Sequence, residues 1–232
     1  MSNTIIPKNI FQTHKSLEYL KRNPKIVNAM KSWCNHSPQF KYYFYDNVMC
    51  DIFMKKNFDY NNINKAYQRL PLGVMKADLW RYCVIYKYGG IYADADTVCK
   101  INPNIFINNS YLTIAPEPGH PFFCQWCFAA PPGSPFLKAI IDLSVERILE
   151  LNKGDHINVH HLTGPAVFTD AINNYLNETK MPTFSDVGQY YKYPSNILSV
   201  FNRERFHNTF VKHLYFGSDK DGWKNKAKKL NM

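Results

Sequence analysis

The stretch LGVMKADLWRYCVIYKYGGIYADAD, residues 72–96, constrains this chain more than any other. Met75, Leu79, Tyr82 and Tyr86 recur at helical spacing, and Gly89-Gly90 supplies a stop signal, which predicts a helix over residues 72–88. IYADAD follows, by composition a short buried strand ending in two carboxylates. Asp94 and Asp96 should therefore lie at the carboxyl end of a strand, where ligands bind in open α/β sheets.

The flanking sequence continues the alternation. Residues 5–14 (IIPKNIFQTH) read as an opening β-segment, with Pro7 tolerated near its start. A helix is predicted from Pro24 to Cys34, a buried ring-rich strand at residues 40–46 (FKYYFYD), and a further helix capped by Asp46-Asn47. YLTIAP and FFCQWCFAA read as strands, residues 134–151 as a helix, and a second helix follows Thr163-Gly164-Pro165 toward Glu178. Alternating strands and helices make the class α/β. The 232 residues, 45% hydrophobic, suffice for one sizeable core, so a single domain over residues 1–232 is expected.

No segment approaches the ~20 apolar residues that span a bilayer, and Met1 leads almost directly into IIPKNIF. A soluble, cytoplasmic protein with reduced cysteines is expected, unless the chain is a truncated form of a membrane-anchored precursor. A formal net charge of +10 favours an anionic partner, without choosing among nucleic acid, a lipid surface and a phosphorylated small molecule.

In an extended segment, side chains two apart share a face, so Asp94 and Asp96 can present both carboxylates to one small volume. Two acids so close repel unless a cation or protons intervene. Mn²⁺ or Mg²⁺ suits such oxygen ligands and bridges them to substrate phosphates. Asp219-Lys220-Asp221 repeats the spacing, but among lysines in the tail. Asp78 and Arg81, three apart on the predicted helix, leave two readings open: a helix salt bridge worth only ~0.3–0.5 kcal/mol, or a pair that hydrogen-bonds sugar hydroxyls.

ADLWRYCVIYKYGGIYADADT, residues 77–97, resembles the D-x-D region of the family 32 glycosyltransferases, the group that includes the fungal outer-chain-initiating mannosyltransferase. IPKNIFQTHKS resembles that family's opening strand, SWCNHSPQFKYYFYD its second unit, TGPAVFT a later helix start, and HLYFGS, residues 213–218, its terminal histidine and serine motif. The family's tryptophan directly follows that serine, whereas here Asp219-Lys220-Asp221-Gly222 intervene before Trp223.

The resemblance implies a glycosyltransferase A-type mixed sheet flanked by helices, with a Rossmann-like nucleotide-sugar-binding half at residues 1–100, an acceptor-side half at 101–215 and a basic tail at 216–232. It implies retaining transfer from a UDP- or GDP-sugar to a glycan, protein or other acceptor. Asp78 and Arg81 would hold the donor sugar, and Tyr92 is the aromatic before the acids. Asp94 would face the donor's ribose and sugar, and Asp96 the metal. His213 would be a further metal ligand or diphosphate contact, with Ser218 and Trp223 near the nucleotide. No covalent nucleophile stands out.

Other features carry less. Cys124 and Cys127 have redox spacing, but without a second pair they read as core thiols on opposite faces of a strand. His156, His160 and His161 lack the glutamate of a zinc protease, and Ile157 and Val159 favour strand or loop there. No nucleic-acid motif is present, so nucleic acid is an unlikely partner. A competing function is an inactive, transferase-like basic module that binds nucleic acid or an anionic surface.

Overall fold

The computed structural model describes residues 5–59, 61–108, 110–152, 154–183, 186–187, 189, 196–216 and 223–230. The first half runs β1 (Asn9–Thr13), α1 (Leu17–Lys21), α2 (Pro24–His36), β2 (Lys41–Tyr45), α3 (Asn47–Phe58), α4 (Asn62–Arg69), α5 (Gly73–Tyr88) and β3 (Gly90–Ala93). The second continues with β4 (Thr97–Cys99), β5 (Leu112–Ile114), β6 (Cys127–Ala130), α6 (Pro135–Glu150), α7 (Val159–Leu162), α8 (Pro165–Glu178), β7 (Leu198–Val200), α9 (Arg203–Arg205), β8 (Val211–His213) and α10 (Trp223–Leu230).

A mixed sheet has the order β2-β1-β3-β6-β5-β7. The strands β2, β1 and β3 are parallel, β6 runs against both β3 and β5, and β7 is parallel to β5. Alternate residues feed two apolar clusters: Phe11, Tyr92 and Phe128 join α3 to α8 on one face, while Ile10, Ile91 and Ala129 meet Trp33, Phe106 and Phe210 on the other. This is the α/β sheet flanked by helices that the sequence predicts.

Helix α5 is the centre of the larger core. Every residue from Asp78 to Ile85 is buried, so it is packed all round rather than along one stripe. Gly89, at φ +64°, ends it, and a Cβ there would lie 2.6 Å from the Pro132 ring. Gly90, at φ +123°, would bring a Cβ within 2.6 Å of the Asn9 carbonyl oxygen, so the approach of β3 to β1 requires glycine.

Several expectations are corrected. The opening strand is shorter than residues 5–14. Strand β2, expected to be buried, is the sheet edge, and alternate residues face outward, Tyr43 being 37% exposed. FFCQWCFAA is strand only at Cys127–Ala130, so Cys124 precedes it, and both sulfurs enter the same smaller core instead of opposite faces. His160 and His161 sit on a short helix, α7, capped by the Asn158 side chain, rather than on strand or loop. A second sheet, β4 against β8, pairs Thr97 with His213.

Candidate active site

The two acids meet through a turn. Asp94 is the first residue past β3, and its carbonyl oxygen accepts hydrogen bonds from the Thr97 N–H (3.0 Å), the Thr97 hydroxyl (2.5 Å) and the Gln12 amide (3.0 Å). The chain therefore folds back at Ala95, and strand alternation, the expected device, is not what joins the carboxylates. Trp33 of α2 fixes the far side by donating to the Thr97 carbonyl oxygen (3.0 Å).

Asp96 is held from the carboxyl-terminal region. Its backbone oxygen accepts from Leu214 N–H (3.0 Å), its Oδ2 from Phe216 N–H (3.0 Å), and its Oδ1 lies 3.2 Å from His213 Nε2. Burial alone would raise the Asp96 pKa, but the His213 hydrogen bond and charge, with the Phe216 amide, bring it below the usual carboxylate value. Burial alone would lower the His213 pKa, and Asp96, Asp94 and Glu117 raise it instead.

Asp78 and Arg81 form neither a solvated helix bridge nor an exposed ligand pair. They are 1% and 3% exposed and joined at 2.9 Å. Arg81 also reaches Asp94 Oδ1 at 3.2 Å, covers the Tyr92 ring at 4.6 Å, and donates to Gln125 Oε1. Thr163 donates to Asp78 Oδ2 at 3.0 Å. Burial pushes the Asp78 carboxyl up to about 7 against the opposing pull of Arg81, Thr163 and Gln125. Burial also opposes the Arg81 charge, but Asp94, Tyr92 and Asp78 outweigh it and the guanidinium holds its proton more firmly than usual.

Tyr92, buried completely, donates to Asp94 Oδ1 at 2.5 Å. It orients the carboxylate from beneath. Ser218 lies outside the described residues, as do Asp219 and Asp221. Trp223 begins α10, with its ring 5.9 Å from His160. The structure thus joins Asp78, Arg81, Tyr92, Asp94, Asp96 and His213 in one network, while Trp223 packs beside α7.

Four participants escaped the sequence reading: Gln12, Gln125, Thr163 and His14. Gln125 is a lone polar residue in an apolar run, which is a signal in itself. His14 stacks on Tyr19 at 4.9 Å, and burial, aided by Lys15 and opposed by Asp96, lowers its pKa to about 4.

A divalent cation fits this set. One ligand atom from each of Asp94, Asp96 and His213 lies within 4.8 Å of the others. His213 Nδ1 is buried with no hydrogen-bond partner among the described residues. Two carboxylates and an imidazole suit Mn²⁺, whereas Mg²⁺ favours oxygen donors.

Residues 24–113 match the family described as "Glycosyltransferase sugar-binding region containing DXD motif". Initiation-specific alpha-1,6-mannosyltransferases of Candida albicans and Schizosaccharomyces pombe are 28% and 29% identical, over 74% of this chain in each case. The similarity to this glycosyltransferase family is carried by residues 24–113. The chain spans about half the length of those relatives, 53% and 49%. The PaToxG glycosyltransferase superposes with a TM-score of 0.61 at 17% identity, covering 75% of this chain and 72% of that one. The fold seen here is therefore an A-type glycosyltransferase fold, and Asp94-Ala95-Asp96 is the D-x-D sequence within the matched residues.

Proposed function

We propose that the chain is a divalent-cation-dependent, retaining glycosyltransferase that moves a sugar from a nucleotide-diphosphate donor to an acceptor hydroxyl. Mannose is the sugar that the two fungal relatives' names suggest. The observation that carries the reading is the convergence of Asp94, Asp96 and His213 beside the buried Asp78–Arg81 pair. A merely structural ion pair would have no need of a histidine brought back from β8.

Asp94, Asp96 and His213 would hold Mn²⁺ or Mg²⁺, which when bound supplies charge neutralisation for a departing diphosphate. Arg81 cannot swing: three partners and the Tyr92 ring fix its guanidinium, so its charge reaches the donor without reorganisation at the moment of reaction. Asp78 and Gln125 hold Arg81, Tyr92 holds Asp94, and Gln12 and Thr97 hold the turn between the acids. Such a cluster is preorganised for a charged ligand. Nothing in it favours the inactive basic module, since every acid and base of the motif is present and engaged. Proton removal from the acceptor is assigned to the leaving phosphate, as the resemblance implies.

The test is release of nucleotide diphosphate from GDP-mannose, UDP-glucose and UDP-galactose with Mn²⁺ or with chelator. Release from at least one donor that stops with chelator supports the proposal. Absence of release and of metal-dependent nucleotide binding in folded protein overturns it.

A further inference from the structure

Beside His213 the fold places a carboxylate outside the hydrogen-bonded network described above. Glu117 opens a hairpin: its N–H donates to the Phe122 carbonyl oxygen (2.8 Å), and Pro116 bridges Phe123. Trp126 Nε1 donates to Glu117 Oε1 at 2.9 Å, and the same indole lies 4.7 Å from the His213 ring. One indole thus separates Glu117 from the metal-ligating histidine. Glu117 Oε2 accepts no hydrogen bond among the described residues, although the side chain is half-buried. A half-buried carboxylate oxygen needs a donor, from water or from a ligand hydroxyl.

Rings surround it. Tyr215, 49% exposed, packs its ring against His213 at 4.2 Å with the planes tilted by 40°, and its phenol feels the Glu117 charge. Across the hairpin turn, Phe122 meets His160 at 6.5 Å, and His160 meets Trp223 at 5.9 Å. Ring faces accept the apolar face of a pyranose while a carboxylate takes its hydroxyls.

We infer that Glu117 and the exposed ring of Tyr215 form the acceptor subsite, which takes a carbohydrate and orients the attacking hydroxyl on Glu117 Oε2. This rests on the transferase reading. It places the acceptor beside His213, which lies across the Trp126 indole from Glu117.

The experiment is saturation-transfer NMR with α-1,6-mannobiose, cellobiose and lactose, comparing wild type with Glu117→Gln and Tyr215→Ala. The glutamine keeps an oxygen for Trp126, and Tyr215 is exposed, so both variants should fold. Saturable binding of at least one disaccharide is expected, weakened about tenfold or more in each variant. Binding of UDP and GDP in Mn²⁺ is measured on the same proteins and should be unchanged. Normal nucleotide binding with no disaccharide signal in wild type, or with equal signals in all three proteins, overturns the subsite alone. Absent nucleotide binding overturns the transferase reading beneath it.

Discussion

His213 Nε2 lies 3.2 Å from Asp96 Oδ1 across 117 residues of chain. The pairing of β4 with β8 creates this contact, because Thr97 and His213 are register partners and Asp96 immediately precedes Thr97. The proposed metal ligands therefore come together only when β8 docks on β4. His213→Ala should weaken Mn²⁺ binding at least about tenfold, the loss expected for one ligand, while the Phe216 and Leu214 amide bonds keep Asp96 in place. Titration of Mn²⁺ by calorimetry checks it, and unchanged affinity would remove His213 from the ligand set.

The buried pair on α5 should dominate stability. Asp78→Ala leaves the Arg81 guanidinium buried with one carboxylate fewer, which typically costs about 3–5 kcal/mol. Chemical denaturation measures the loss. A cost below about 1 kcal/mol would show that the pair is solvated in solution.

His14 sets an acid limit in the metal-free protein. Burial first, then Lys15, lower its folded pKa from 6.5 to about 4, so between those values the unfolded chain binds the extra proton. Stability should rise with pH across that window and flatten above it, by on the order of 3 kcal/mol in total. His14→Phe keeps a ring against Tyr19 and should remove most of that slope. Denaturation midpoints at pH values spanning the window decide it; an identical slope in the variant would assign it elsewhere.

The thiols should be dispensable. All six cysteines are free, and Cys124 and Cys127 are buried with pKa values raised by burial. Cys124→Ala with Cys127→Ala should lower the melting temperature, at about 1 kcal/mol per site, and leave metal-dependent turnover measurable. Loss of turnover in the folded double variant would contradict this.

Much of the fold was legible because its central units are long and periodic. Helix α5 and strand β3 announce themselves through Met75, Leu79, Tyr82 and the Gly89-Gly90 stop. The strands β4 and β8 have three residues each, too few for any period to register, so the second sheet was invisible and His213 entered only through family resemblance. The Asp94–Asp96 turn was hidden for a similar reason: it depends on Gln12 and Thr97 side chains bonding to a backbone oxygen. The burial of Asp78 and Arg81 could not be read locally, since it follows from packing α5 on every side.

Asp96→Asn tests the central claim most directly. The change keeps the shape and an oxygen but removes the charge that balances the cation. Nucleotide-sugar turnover in Mn²⁺ should fall at least ~10²-fold, since several kcal/mol of leaving-group stabilisation depend on the metal. The fold should survive, the thermal stabilisation conferred by Mn²⁺ with nucleotide should largely vanish, and Asp221→Asn in the tail should do neither. Full turnover in Asp96→Asn, or an equal loss in Asp221→Asn, would contradict the assignment of the cation to Asp94, Asp96 and His213.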